Sequence, residues 1–183
     1  ATAAEGGDTG GNGLRVSSYQ ANSLNQYTSR IAPGYVDIAG TAATNATVTV
    51  NNGAATRQGE YFWTELGVGN VVSPVWAGVT NVAVVAGAGT NGTDVVDSVS
   101  GHRYVAQTPE PFEYDADGNL LRDGRWDYTW NGENRLIAQE TIAEAVAVGT
   151  PKQKLEFQYD FQGRRIRKQI YGWNAGSWQL TSD

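Results

Sequence analysis

Apolar and polar residues alternate along this chain in short runs, each ended by Gly, Asn or Pro. The run "TNATVTV" alternates Thr and Val up to Asn51-Asn52-Gly53. Alternation with period two puts the valines on one face of a strand, and Asn and Gly supply the positive φ of a tight hairpin. "EYFWTEL" and "SPVWAGVTNVAVVAG" read as further strands, with Pro74 suited to an edge or a strand start. "AGAGTNGTD", with Gly87, Gly89 and Gly92, reads as a mobile turn. Only "ENRLIAQETIAEAVAVG", Glu133 to Gly149, resists this pattern. Its Ala, Glu and Leu favour a helix on propensity, but its apolar positions at 136, 137, 142, 145, 146 and 148 fit neither period. A strand followed by an irregular loop up to Pro151 is predicted there. The fold class predicted is all-β, mainly antiparallel stacked hairpins over residues 14–183, with closure into a sandwich- or barrel-like single domain left open. Residues 1–13, "ATAAEGGDTGGNG", are small, polar and Gly-rich, and are expected to form a flexible leader.

Three stretches copy one another. They are "YDADGNLLRD" from Tyr114, "WNGENRLIAQ" from Trp130 and "YDFQGRRIRK" from Tyr159. Each opens with an aromatic followed by Asp or Asn (Asp115, Asn131, Asp160). Four residues after the aromatic stands Gly118, Asn134 or Gly163, and an apolar residue closes the unit at Leu121, Ile137 or Ile166. A fourth, weaker copy, "ANSLNQYTSR" from Ala21, keeps Asn22 and Asn25 but loses the aromatic. An Asp or Asn side chain accepts from backbone N–H groups two residues on and closes an Asx turn. Gly and Asn tolerate the left-handed backbone that such a turn requires. The aromatic and the closing aliphatic are expected to meet across the hairpin. Each copy therefore predicts a short hairpin, and successive hairpins stack edge to edge. Such an open stack leaves unpaired edge strands, which invite a homodimer.

These motifs resemble the YD repeats of the Rhs family: Tyr-Asp, then Gly-Asn-Leu or Gly-Arg-Arg, then "YTWNGENRL". The match covers about Thr108 to Tyr171 and extends weakly to "NSLNQYTSR"; residues 31–107 carry no motif of the family. The resemblance implies stacked β-hairpins forming part of a large hollow shell, exported or displayed at a bacterial surface, with neighbouring repeats of a parent chain as partners. Neither the family's Rhs-associated core, with its self-cleaving aspartyl protease site, nor a toxin domain is expected within this segment. A piece of shell without catalysis of its own is what the resemblance then implies.

Composition narrows the alternatives. The chain has 183 residues, 40% hydrophobic and 17% charged, so disorder by charge is excluded. No apolar run approaches the roughly 20 residues of a membrane-spanning helix. A net charge of −6 argues against nucleic-acid partners, and the basic cluster Arg164, Arg165, Arg167 and Lys168 would divide between the two faces of a strand. Cysteine is absent, which excludes disulfides and thiolate chemistry. Methionine is absent even from position 1, so the chain is expected to be a processed product or an excised piece.

The candidate chemistry is sparse. Asp115, Asp117 and Asn119 suggest a calcium loop, but Gly118 stands fourth and Trp126 twelfth where an EF-hand needs Gly sixth and Glu twelfth. His102 is the only histidine, so no His-based metal site forms, and "GAGTNG" lacks the lysine and helix of a phosphate loop. No metal and no cofactor is expected. Glu110 and Glu113 are the neatest carboxylate pair for a small glycoside hydrolase, and Glu60 with Glu65 flank "YFWT". The first alternative to a scaffold, ahead of such a hydrolase, is a carbohydrate-binding module with a polysaccharide ligand. Trp126, Tyr128 and Trp130 alternate on one strand face, and Trp173 and Trp178 near the C-terminus are the better candidates for an exposed platform.

Overall fold

The computed structural model describes residues 2–5 and 13–183, and its strands fall into three groups along the chain. The first holds β1 (Thr2–Glu5), β2 (Arg15–Ala21) and β3 (Tyr27–Arg30). The second runs from β4 (Tyr35–Thr41) through β5 (Thr47–Val50), β6 (Gly53–Ala54), β7 (Thr56–Gln58), β8 (Tyr61–Gly67) and β9 (Val75–Val85) to β10 (Val95–Val105). The third holds β11 (Glu110–Pro111), β12 (Glu113–Tyr114), β13 (Leu120–Arg122), β14 (Trp126–Trp130) and β15 (Leu136–Thr141). A short helix α1 (Ala143–Ala147) follows, then β16 (Gln153–Tyr159), β17 (Arg165–Asn174) and β18 (Ser177–Ser182). All pairings are antiparallel. The all-β class predicted from the alternation is therefore correct.

The middle group is a sandwich of two sheets, β10-β9-β5-β6 and β4-β8-β7. Val48 and Val50 point inward from the predicted Thr/Val run and meet Val36, Ile38, Phe62 and Val79 in the core. Asn51 and Asn52 take φ of 47° and 66°, the left-handed geometry expected of that turn. The Asn51 amide also donates to the Gly78 carbonyl at 2.9 Å and accepts from the Thr80 N–H at 2.8 Å, so the turn is tied to the next strand over. Pro74 immediately precedes β9, as a strand-start proline should.

The other two groups form sheets β1-β2-β3-β11 and β12-β13-β14-β15-β16-β17-β18. Only Phe112 separates β11 from β12, and its N–H still donates to the Thr28 carbonyl at 3.0 Å, so one sheet runs on into the other. Strands β3 and β11 pair with each other, Arg30 opposite Glu110. The sandwich is thus an excursion that leaves one strand of the repeat sheet and returns into its neighbour. Asn70 straps the neck: its side-chain amide donates to the Ala32 and Ala106 carbonyls at 3.0 and 2.8 Å.

Three expectations change. None of the four sheets closes into a barrel, and sandwich packing is confined to the middle strands. Thr2–Glu5, assigned to a flexible leader, pairs with Arg15–Ser18 of β2 because an open sheet edge gives even a small-residue segment a ladder to join; residues 6–12 of that leader lie outside the described residues. The loop predicted before Pro151 contains a helical turn, α1. Ala145, in the middle of that turn, is wholly buried, and the chain leaves the turn through Gly149 at φ 98°. The helix propensity of "AEAVA" prevails there because the segment spans an end of the sheet where no strand is available to pair with it.

Candidate functional site: a row of repeat turns and the surfaces it holds

The turn residues singled out by the repeat adopt one geometry four times. Asp115 Oδ1 accepts from the N–H groups of Asp117 and Asn119 at 3.0 and 2.8 Å, while Gly118 N–H reaches back to the Asp115 carbonyl. Asn131 Oδ1 accepts from Glu133 and Arg135, both at 3.0 Å. Asp160 Oδ1 accepts from Gln162 and Arg164, both at 2.9 Å. Asn22 does the same for Leu24 and Gln26 in the copy without an aromatic. The residue three places after each acid or amide (Asn25, Gly118, Asn134, Gly163) holds φ between 56° and 89°, which only Gly and Asn accept without strain.

The partner of the aromatic differs from the expectation. Tyr114 faces Leu120, Trp130 faces Leu136 and Tyr159 faces Arg165. The register then slips by one residue, so that Glu113 faces Arg122, Thr129 faces Ala138 and Gln158 faces Arg167. Leu121, Ile137 and Ile166 are therefore the extra residues of β-bulges and do not pair with the aromatic. The same slip occurs in the first copy, between Gln20 and Ala21. A bulge bends and twists its strand, so all four hairpins receive the same local distortion.

Side chains join the copies laterally. The ladder between neighbouring hairpins stops short of the turns, with one pair between β13 and β14 and three between β15 and β16. In its place Trp130 Nε1 donates to the Leu120 carbonyl and Tyr159 Oη donates to the Leu136 carbonyl, each at 2.8 Å. Both acceptors are the residue that faces the aromatic of the preceding copy. An aromatic with a polar hydrogen is useful at this place because it satisfies a backbone carbonyl that the splayed ladder leaves free. Asn119 Nδ2 also donates to Asn134 Oδ1 at 2.9 Å, linking one turn to the next.

Electrostatics follow from the turns. The side-chain amide of Asn119, assisted by backbone N–H groups, holds the Asp115 carboxyl below its usual range. The Arg164 N–H and guanidinium do the same for Asp160. A depressed folded-state pKa contributes stability above the ordinary carboxylate pKa, and that contribution is lost as pH falls through the lowered value. Asp160→Asn keeps the turn acceptor, as Asn131 does in its own copy, and should flatten the acid side of a plot of melting temperature against pH. Asp160→Ala removes the acceptor and should lower the melting temperature at pH 7 by about 2–4 °C. Equal melting at pH 7 for all three proteins would show that the turn bonds contribute nothing.

The aromatic faces are largely committed. Trp126, Tyr128 and Trp130 are half-buried and alternate with exposed Asp127 and Thr129, as the spacing predicts. Arg125 lies 5.1 Å from the Trp126 ring, and Tyr128 Oη donates to Asp123 Oδ2 at 2.7 Å. Burial first, and then that bond, raise the Tyr128 phenol. Trp173 is 43% exposed and meets Trp178 edge-on, with ring centres 5.1 Å apart and planes at 78°. Lys152 Nζ lies 4.0 Å from the Trp173 ring centre and 5.2 Å from that of Trp178. Sugar stacking uses an open ring face, whereas here an ammonium covers one face of each indole.

The two glutamates part company. Glu110 is buried in the neck, where Oε1 accepts from Gly124 N–H at 3.1 Å and Oε2 accepts from Arg30 Nε. A side chain at Gly124 would come within 2.6 Å of that carboxylate, so only glycine lets the loop approach it. Glu113 is exposed and lines a cavity of about 130 Å³ with Arg122, Asp123 and Glu144, to which Glu110 does not contribute. His102 stacks on Trp76 at 5.1 Å. In the basic cluster, Arg164 pairs with Asp160 and Arg167 with Asp183. Among the described residues no group of three or more His, Asp or Glu could hold a metal, and no helix is long and apolar enough to cross a membrane.

Several structural residues gave no signal in the sequence. Asn70 is 2% exposed in an unpatterned loop. Arg15 joins the first group to the sandwich through Glu65 and lies 3.3 Å from the Tyr35 ring centre. The Asn70 bonds and both Arg15 contacts cross long stretches of chain, and no local pattern announces them.

Fold and site together define an all-β protein whose outer sheets carry a row of four like turns and whose middle strands form a sandwich. Compared with known proteins, no family model matches the chain, and no solved structure matches it. Among curated proteins it is 35% identical over 63 residues to the tRNA nuclease WapA of Bacillus subtilis (strain 168). The tRNA3(Ser)-specific nuclease WapA of Bacillus spizizenii and the tRNA(Glu)-specific nuclease WapA of Bacillus subtilis subsp. natto match to the same extent. The match takes in 34% of this chain and 2% of each relative, so the chain spans a very small part of their length.

Proposed function

We propose that this chain is a structural segment of an Rhs-type repeat wall, in which the hairpins serve to fold and stack. The observation that carries this reading is the fourfold recurrence of one turn, one positive-φ residue and one bulge at the same places in each copy. A catalytic site has no need to occur four times, whereas a repeating wall does. The bonds from Trp130 and Tyr159 to the preceding copy support it further, because they act only between stacked neighbours. On this reading the parent protein is exported or displayed, and the partners of this segment are further repeats of the same chain. The nuclease activity named for the curated relatives is not carried over from a match to 2% of their length.

The test combines a tolerance and three activities. Changing Phe161→Ala and Gln162→Asp gives residues 160–163 the Asp-Ala-Asp-Gly sequence of the first turn. Both positions are exposed, so the melting temperature should stay within about 2 °C. The protein should bind no polysaccharide on an affinity gel, release no reducing sugar and leave total tRNA intact. Release of reducing sugar that stops in Glu113→Gln, retention on a gel that Trp173→Ala abolishes, or cleavage of tRNA would each overturn the structural reading.

A further inference from the structure

Strand β10 is the free edge of the sheet β10-β9-β5-β6. It pairs with β9 over eleven residues without a slip, and Val95, Val96 and Val99 are 47, 60 and 63% exposed. Its odd-numbered side chains point to the inner face of the sandwich, where Val105 joins the core. The opposing sheet ends at β4, however, and Asp97, Val99 and Arg103 line open cavities of about 230 and 330 Å³ between the two edges. Edge strands are ordinarily guarded by proline, lysine, inward-pointing charges or a bulge. This one has no proline, lysine or bulge, and its two inward-pointing charges, Asp97 and Arg103, are of opposite sign, so they guard against other strands but not against a second copy of this one.

Its sequence, "VVDSVSGHRYV", is complementary to itself about Ser100. Two identical antiparallel strands related by a two-fold axis pair each residue with the one equidistant from the centre, and the hydrogen-bonding direction permits only shifts by two. Centred on Ser100, Asp97 faces the partner's Arg103, and the symmetry repeats that contact. Val95 then faces Val105, Val96 faces Tyr104 and Ser98 faces His102. A shift by two in either direction puts Asp97 opposite Gly101 or Val105 and leaves the charges unmatched.

We propose that two copies of this chain join antiparallel along β10, centred on Ser100 with an Asp97–Arg103 pair on either side of it, extending two four-stranded sheets into one of eight. The edge supplies free backbone donors and acceptors, the valines supply apolar contact, and the two charges select the register. The inference rests on the sandwich alone and is independent of the role of the repeats.

Sedimentation velocity from about 1 μM to 1 mM at low salt tests it in the weak range expected of an edge-to-edge contact. The unmodified chain should show a reversible dimer. Asp97→Arg and Arg103→Asp each place like charges opposite one another and should weaken the dimer by about tenfold or more. The double variant should recover it, and an equimolar mixture of the two single variants should form a mixed dimer. Both residues are exposed, so unchanged circular dichroism should accompany these shifts. A strict monomer across the whole range would give the edge to a different partner and overturn the proposal. A dimer insensitive to both single variants would place the contact elsewhere, and failure of the double variant to recover it would overturn the register.

Discussion

Replacing Asn70 with Ala should cost about 2–4 kcal/mol, because two buried carbonyls lose their donor at once and each such loss costs about 1–3 kcal/mol. The carbonyls are those of Ala32 and Ala106, on the two chains that lead into and out of the sandwich. The Asn70 carbonyl also accepts from Thr108 N–H at 2.9 Å, so this one residue joins three segments of the neck. Urea denaturation followed by tryptophan fluorescence measures the loss. The unfolding curve should also broaden or split, since the sandwich core and the repeat sheet would no longer be held in one cooperative unit. Asn70→Asp is the informative companion. It preserves shape and volume but turns an oxygen toward oxygens, so it should be at least as harmful as Ala. If Asp is tolerated, the residue merely fills space and the strap is not a strap.

Glu110→Ala should cost about 2–3 kcal/mol, whereas Glu113→Ala should stay within about 0.5 kcal/mol. Breaking a buried ion pair costs about 3–5 kcal/mol when the remaining charge stays dry. The Arg30 side chain is 36% exposed and regains water, which lowers the figure. Burial works against the Arg30 charge, yet the bond to Glu110 holds its pKa above the ordinary value. The Gly124 N–H loses its acceptor as well. Chemical denaturation of the two variants side by side measures the difference. Equal losses would contradict the assignment of Glu110 to the neck and Glu113 to solvent. This contrast also bears on hydrolysis: a carboxylate held by two donors inside a neck is not a free proton carrier, and Glu113 lines a cavity without it.

The turns were legible because an Asx turn is a local object. Asp160 contacts the N–H groups of residues 162 and 164, so five consecutive residues contain the whole interaction. That is why even the copy at Asn22, which lacks the aromatic, forms the same turn. The bulges were not legible. Leu121 and Leu120 are adjacent leucines of equal apolar character, and which of them faces Tyr114 depends on a one-residue slip between strands. The same ambiguity hid Leu136 behind Ile137.

By itself, then, the sequence determined the strand-and-turn character, the Thr/Val face that enters the core at Val48 and Val50, and the four turns with their positive-φ residues. These depend on period-two alternation and on contacts within five residues. Only the tertiary structure decided that residues 35–105 form a sandwich set between two paired strands, that Asn70 and Glu110 hold its neck, and that β10 is left as an open edge. Each of those outcomes depends on which distant strand lies beside which, and alternation specifies the face of a strand without specifying its neighbour.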